Sequence, residues 1–487
     1  MIPLTAWSSS AAPAQSPSLR TLRLRPLVHT GRERWTLPDR MQHHGVPGVA
    51  IATMRGGRIA TAQGFGTRVA GTALPVNAET LFSVGSVSKL ATALLCLQLV
   101  SRQILDLDQD VNRWLKRWHV PVGPAGDDRA VTLRMLLSHS SGFNVHGFAD
   151  YPPDAVLPTL AQTLNGTPPA RNKALARIDP AGTRSRYSGG GYMVIQAVIE
   201  DATGEAFDRL AHQHVFGPLG MTRSRFIPAP AAATDNIAHA HDGRGQPVAL
   251  PRGWQSFPEL AASGLWTNAR DLARMVLALG ASYRSPKGFL PQELAMEMMT
   301  VVNPGFNGLG PRLAGRGETR IFHHAGANDS YKAYVEGNLA TGDGLVVLTN
   351  GEHGDILGDE IRNAVSDAYR WPGDWSVRIA DIPATALVDG YVGTYRRRDG
   401  QDPMVTGFLD TGFSADTIEI VRGPDGIMIR SRGRDRPLVA VDTNGFVLPD
   451  GYVPAATLVF RFVRSADGKV SHVRAVAGED VLLFDRA

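Results

Sequence analysis

One cysteine, Cys96, is all that the 487 residues hold, so no internal disulfide and no cysteine-built metal site can form. Long apolar runs are missing as well: no stretch is long enough to cross a membrane as a helix. There is no Gly-x-Ser-x-Gly, which argues against the nucleophile elbow of α/β-hydrolases. Neither a Walker A loop nor a dinucleotide fingerprint occurs. The arginines are scattered apart from Arg396-Arg397-Arg398 and a group from Arg430 to Arg436, with no basic stripe interleaved with aromatics. Nucleic acid is therefore not an expected partner. The N-terminus lacks a positive segment followed by an apolar core, so it does not read as a secretion signal.

What remains is an ordinary soluble composition: 43% hydrophobic, 20% charged and a net charge of +4. The length calls for more than one domain. The first ~30 residues carry little pattern and are expected to be flexible. Gly48 to Met54 reads as a buried strand, Arg55-Gly56-Gly57 as a turn and Arg58 to Phe65 as the hairpin partner. A helix starts near Ser86, with Leu90, Ala93, Leu94 and Leu97 on one face. Helical pieces are expected at 133–137, 194–202 and 269–279, strands at 321–325, 331–336 and 345–348, and a helix at 356–369. Strands at both ends with helices between them imply an α+β fold: an antiparallel sheet flanked by helices, with a helical lobe alongside. After Trp371-Pro372-Gly373-Asp374-Trp375 and Asp381-Ile382-Pro383, which look like a linker, short strands follow. Their turns are Asp425-Gly426, Asn444-Gly445, Asp450-Gly451 and Asp467-Gly468. This predicts a C-terminal all-β barrel of about 100 residues.

Three short elements could carry chemistry. Ser86-Val87-Ser88-Lys89 puts a hydroxyl and an amine one helical turn apart. The positive end of the helix dipole and partial burial both work against a charge on Lys89, which suits a base. Alone, the pair is equally a helix cap beside a solvated lysine. Arg186-Tyr187-Ser188-Gly189-Gly190-Gly191 places a phenol at a glycine-rich turn, where backbone can pass close to a nucleophile and the phenol can relay a proton. Alone, it is as readily a loop before a helix. His323-His324-Ala325-Gly326-Ala327 puts small residues at a strand end, offering backbone N–H groups to an oxyanion. Alone, it reads more simply as surface histidines on an edge strand. A fourth run, His239-Ala240-His241-Asp242, has the wrong spacing for a third ligand and reads as a turn; no metal is expected.

In this order and local context, the three elements resemble the active-site motifs of the serine β-lactamase and penicillin-binding-protein superfamily. The resemblance is to its class C β-lactamase, D-alanyl-D-alanine carboxypeptidase, D-aminopeptidase and esterase branch. Thr132 to Gly142, Pro218 to Met221 and Ala261 to Thr267 also look like that family, and the likeness covers roughly Pro47 to Tyr369. The C-terminal part is similar to lipocalin-like modules attached to some members. The resemblance implies a domain plan: a flexible 1–30, a catalytic domain at 31–375, a linker at 376–386 and a lipocalin-like barrel at 387–487.

By the same resemblance, Ser86 is the acylated nucleophile and Lys89 and Tyr187 share the base and acid work. The N–H groups of Ser86 and Ala327 bind the oxyanion, beside Ala325, Gly326 and Gly189, and His324 contributes to substrate binding. Two departures stand out. Gly189 replaces an asparagine, and His324-Ala325-Gly326 replaces Lys-Thr-Gly. Both point away from efficient β-lactam hydrolysis and leave acyl transfer on esters or small amides intact. The expected activity is serine hydrolysis through an acyl-enzyme, with no cofactor and a small-molecule or peptide substrate. The alternatives are a D-amino-acid-specific peptidase or peptide-cyclising acyltransferase, and a catalytically silent penicillin-binding or sensor protein. The resemblance implies a periplasmic or secreted location, and a homo-oligomer stays open.

Overall fold

Gly48–Arg55 is apolar at nearly every position because both faces of its strand are covered. Ala50, Ala52 and Met54 enter one core, while Val49 and Ile51 enter another, as the two-residue alternation of a strand requires. In a computed structural model, residues 18–302, 304–372, 375–382, 390–401, 416–424, 426–431, 434–453, 456–477 and 480–487 are described.

The central sheet has six strands: β1 (Gly48–Arg55), β2 (Arg58–Gly66), β3 (Arg312–Ala314), β4 (Ile321–Ala327), β5 (Lys332–Asn338) and β6 (Gly344–Thr349). Their order is β2-β1-β6-β5-β4-β3, every neighbouring pair antiparallel. Val346 pairs with Ala52, so the two ends of the domain meet in one sheet. That is the expected plan. The three-residue β3 was not expected, being too short to leave a periodic pattern.

Six helices matter for the site. These are α1 (Leu37–His43), α2 (Ser88–Ser101), α3 (Gly189–Thr203), α4 (Leu260–Ser263), α5 (Ala269–Arg284) and α6 (Gly354–Tyr369). Leu272 and Val276 of α5 join the core on one sheet face, and Leu357, Ile361 and Val365 of α6 join the core on the other. The helix α2 is buried from Ser88 to Leu99, not only on the expected face, because the lobe closes around it; a helix apolar nearly all round belongs in a core.

The chain from Ser18 onward is packed rather than flexible. Leu19, Leu22 and Leu24 are buried in the core under α6, and Val28–His29 pairs in parallel with Val377–Arg378. Residues 1–17 lie outside the described residues. Part of the expected linker is thus a strand. Trp375 is buried against the Arg362 guanidinium, 3.6 Å from its ring centroid.

A buried ion pair ties α1 to α6. Arg40 donates Nε to Glu360 Oε2 at 2.7 Å and Nη2 to Oε1 at 2.6 Å, with His44 Nε2 at 3.1 Å from Oε1. Burial pushes the Glu360 carboxyl up, but its hydrogen bonds to Arg40 and His44 hold it below the ordinary value. This stabilisation is full above the unfolded carboxylate's pKa and is lost as pH falls through the depressed folded value. Glu360→Gln strands the Arg40 charge and is expected to cost about 3–5 kcal/mol, read as a lowered urea midpoint.

The C-terminal sheet has nine antiparallel strands among the described residues, running from Gly393–Arg397 to Asp480–Arg486. Tyr395 pairs with Arg486, joining its first and last strands. The two sheet edges, Arg434–Pro437 and Val439–Ala440, are separated in the chain by Leu438 alone, so the sheet is a nearly closed barrel. Asp450-Gly451 lies within the strand Gly445–Val453, at a register shift, and not in the expected turn. Asp425 of the expected Asp425-Gly426 turn lies outside the described residues. The barrel is anchored from outside: Phe306, in the loop before β3, is buried in the barrel's own core, and Ala380 N donates to Ala440 O at 2.8 Å.

Candidate active site

Ser86 sits in a single 3-10 turn, Gly85–Val87, that runs directly into α2. It is the one partly exposed residue in a buried stretch from Leu81 to Leu99. Two features hold it there. Gly85 has φ +47°, and a Cβ on it would lie 2.8 Å from Ala327 N. A Cβ on Gly326 would lie 2.0 Å from Val84 O and 3.0 Å from Ser86 N. Glycines on both sides therefore let the end of β4 run backbone-to-backbone past the serine turn.

Lys89 is 2% exposed, which an amine tolerates only with partners. Its Nζ donates to Ser86 Oγ at 3.0 Å and to Ala262 O at 2.8 Å. The segment Ala261 to Thr267 is docked along α2 by further bonds. Thr92 Oγ1 donates to Ala261 O at 2.8 Å, and Leu265 N donates to Ser88 Oγ at 3.0 Å. That segment is the platform that aims the lysine.

Tyr187 lines the same cavity as Ser86 and Lys89, with Lys89 Nζ 5.0 Å from its ring centroid. Burial pushes its phenol up, but the Lys89 ammonium, the Arg312 guanidinium and polar interactions with Ser86 and Lys89 bring it below the ordinary tyrosine value. The loop carrying it is fastened by His139, which has φ +62°. His139 Nδ1 accepts from Ser188 N at 3.1 Å, His139 O accepts from Arg186 N at 2.7 Å, and its ring centroid lies 4.3 Å from that of Tyr187. Ser188 then caps α3 by accepting from Gly191 N at 3.0 Å, which starts the helix five residues before the expected 194.

Ser86, Lys89, Tyr187, Gly189, Ala325, Gly326 and Ala327 line one cavity of about 490 Å³. Seven of the eight expected residues are thus brought together. His324 is not among the residues lining that cavity. The residue is 1% exposed, with its ring centroid 6.4 Å from that of Tyr187, so it packs near the phenol. Burial, then Arg312 and Lys89, push its imidazole well below the ordinary value. At Gly189, a Cβ would lie 3.0 Å from both His146 O and the Phe148 ring; the loop holding Phe148 crowds the place where an asparagine would begin.

Arg312 was missed by sequence reading. It lies opposite His323 across the β3–β4 pair, and its guanidinium stands 5.5 Å from the Tyr187 centroid, on the cavity wall. No motif marks it; only the register of β3 against β4 puts it there. In the His239–Asp242 run, His241 Nε2 accepts from Ala70 N at 3.0 Å, and its Nδ1 faces Asn350 O at 2.9 Å.

The family description "Beta-lactamase" matches residues 36–368, a span that contains all of these residues. The chain belongs to the beta-lactamase family. Among curated members, it is 30% identical over 275 residues to esterase EstB of Burkholderia gladioli, covering 48% of this chain and 64% of that one. It is 31% identical over 210 residues to penicillin-binding protein 4 of Amycolatopsis lactamdurans, covering 42% and 50%. The aligned part thus spans between half and two thirds of these relatives. The solved structure titled SurE with D-Leu shares the fold at TM-score 0.56 and 23% identity, covering 93% of this chain and 97% of that one. The likeness to SurE runs past the family segment into the C-terminal barrel.

Proposed function

We propose that this beta-lactamase family member is a serine hydrolase that cleaves esters or small amides through an acyl-enzyme on Ser86. The observation that carries this reading is the convergence of Ser86, Lys89 and Tyr187 on one cavity wall, with Lys89 Nζ 3.0 Å from Ser86 Oγ and 5.0 Å from the Tyr187 ring centroid. Ser86 Oγ attacks the substrate carbonyl carbon while its proton passes to the Tyr187–Lys89 pair. The negative oxygen is held by the N–H groups of Ser86 and Ala327. The pair then returns the proton to the departing alkoxide or amine. Water repeats the sequence on the acyl-enzyme, releasing the acid and restoring Ser86. His139 and Arg312 act through Tyr187, the first by fastening its loop and the second by favouring its phenolate.

A silent binding protein has no use for a complete proton path, which favours the hydrolase. The resemblance to an esterase supports the same choice. A β-lactam would meet a glycine at 189 and no charged side chain from position 324, so slow or absent penicillin turnover is expected. The test is intact-protein mass spectrometry and absorbance after incubation with p-nitrophenyl butyrate and with benzylpenicillin in parallel. Repeated turnover of the ester is the expected result. A stable penicilloyl adduct with no ester turnover would select the penicillin-binding alternative instead.

A further inference from the structure

Glu259 stands at the entry to α4, the short helix whose Ala262 carbonyl holds Lys89. It lines the same cavity as Ser86, yet it is 1% exposed and its Oε1 has no hydrogen-bond partner. Asp150 lines that cavity too, and its charge acts on Glu259. The Asp150 carboxylate accepts one bond, from Asp329 N at 2.9 Å. A buried polar group without a partner costs free energy and calls for an explanation.

No cation among the described residues supplies that partner. Lys89 is committed to Ser86 and Ala262. Lys332 spends its Nζ on Asn328 O at 2.7 Å and Asp329 O at 2.8 Å. Arg312 lies at the Tyr187 ring. The wall near the two acids also carries Phe148 and Phe257, which suit an apolar group next to a charged one.

We infer that Glu259 and Asp150 form a subsite for a primary ammonium group carried by the substrate, so that the preferred esters or amides are those of amino-acid-like, amine-bearing acyl groups. This rests on the acyl-enzyme reading of Ser86. The titration of the two acids fits it. Burial, with the charge of Asp150 adding to it, pushes Glu259 up to about 8. Burial pushes Asp150 up to about 7, with Asp329 adding to it and the Asp329 N–H and Lys332 opposing it. At neutral pH an empty subsite thus holds Glu259 mainly neutral and Asp150 partly so, and an arriving ammonium favours their ionised forms and forms charge-assisted bonds.

The test compares the methyl esters of D- and L-alanine with methyl isobutyrate, which differs by a methyl group in place of the ammonium. Methanol release is followed for wild type, Glu259→Gln and Asp150→Asn, with p-nitrophenyl butyrate as a common reference. Wild type is expected to favour at least one alanine ester over methyl isobutyrate by tenfold or more in kcat/KM. That ratio is expected to fall at least tenfold in Glu259→Gln, and to fall in Asp150→Asn. A wild-type ratio near one, or a ratio unchanged in both variants while p-nitrophenyl butyrate is turned over, would overturn the subsite and leave the hydrolase reading standing. If wild type turned over none of the esters, the hydrolase reading itself would fall, and the subsite with it. The ratio is internal to each variant, so a partial loss of folded protein does not alter it.

Discussion

Ser86→Ala is expected to lower kcat/KM for p-nitrophenyl butyrate by at least about 10³-fold, since removing the nucleophile of a triad-like unit removes most of what the unit does. The substitution is gentle to the fold. Ser86 is partly exposed, caps nothing with its side chain, and precedes a helix whose burial depends on Ser88 to Leu99. The circular dichroism spectrum and urea midpoint should therefore match wild type. Lys89 keeps its bond to Ala262 O in the variant, so its amine is not left without a partner. Acylation seen by mass spectrometry in wild type should vanish at the same time. Full activity in Ser86→Ala would end the proposed mechanism.

Tyr187→Phe should be the next most damaging change, lowering kcat/KM by about 10²–10⁴-fold, the usual contribution of a positioned acid or base. It also makes a directional statement about pH. Burial works against the Tyr187 phenolate, but the Lys89 and Arg312 charges, with the polar interactions of Ser86 and Lys89, bring the group below the ordinary tyrosine value. If the phenolate takes the Ser86 proton, kcat/KM rises with pH through an ionisation below that ordinary value. Tyr187→Phe should abolish this rise, and Arg312→Gln should move it to higher pH because one of the two stabilising charges is gone. A rise that stays at the same pH in Arg312→Gln would show that Arg312 does not govern the phenol.

The sheet and its helices were largely legible because Gly48–Arg55 and Gly344–Thr349 are apolar at nearly every position and the flanking helices α5 and α6 each carry a clear stripe. The start of α3 was misplaced because a serine cap and three glycines form a helix without any apolar periodicity. The N-terminal segment was misjudged because Leu19, Leu22 and Leu24 find their core only under α6, more than 300 residues later in the chain. The Asp450-Gly451 turn failed for a related reason: an Asp-Gly pair permits a hairpin, but the pairing partners decide where the chain reverses.

Ser86, Lys89, Tyr187 and Gly326 could be read from the chain because the chemistry fixes their type and local setting. A nucleophile and its base one turn apart, and glycine where two backbones touch, are demands made over a few residues. The tertiary structure alone decided which groups surround them. It buried the His324 ring near the phenol and put Arg312 on the cavity wall through the register of β3 against β4. It also buried Glu259 beside Asp150 although more than 100 residues separate them. Reactivity here is a short-range property of the chain, whereas the field and shape that choose the substrate arise from residues far apart in sequence, which packing alone brings together.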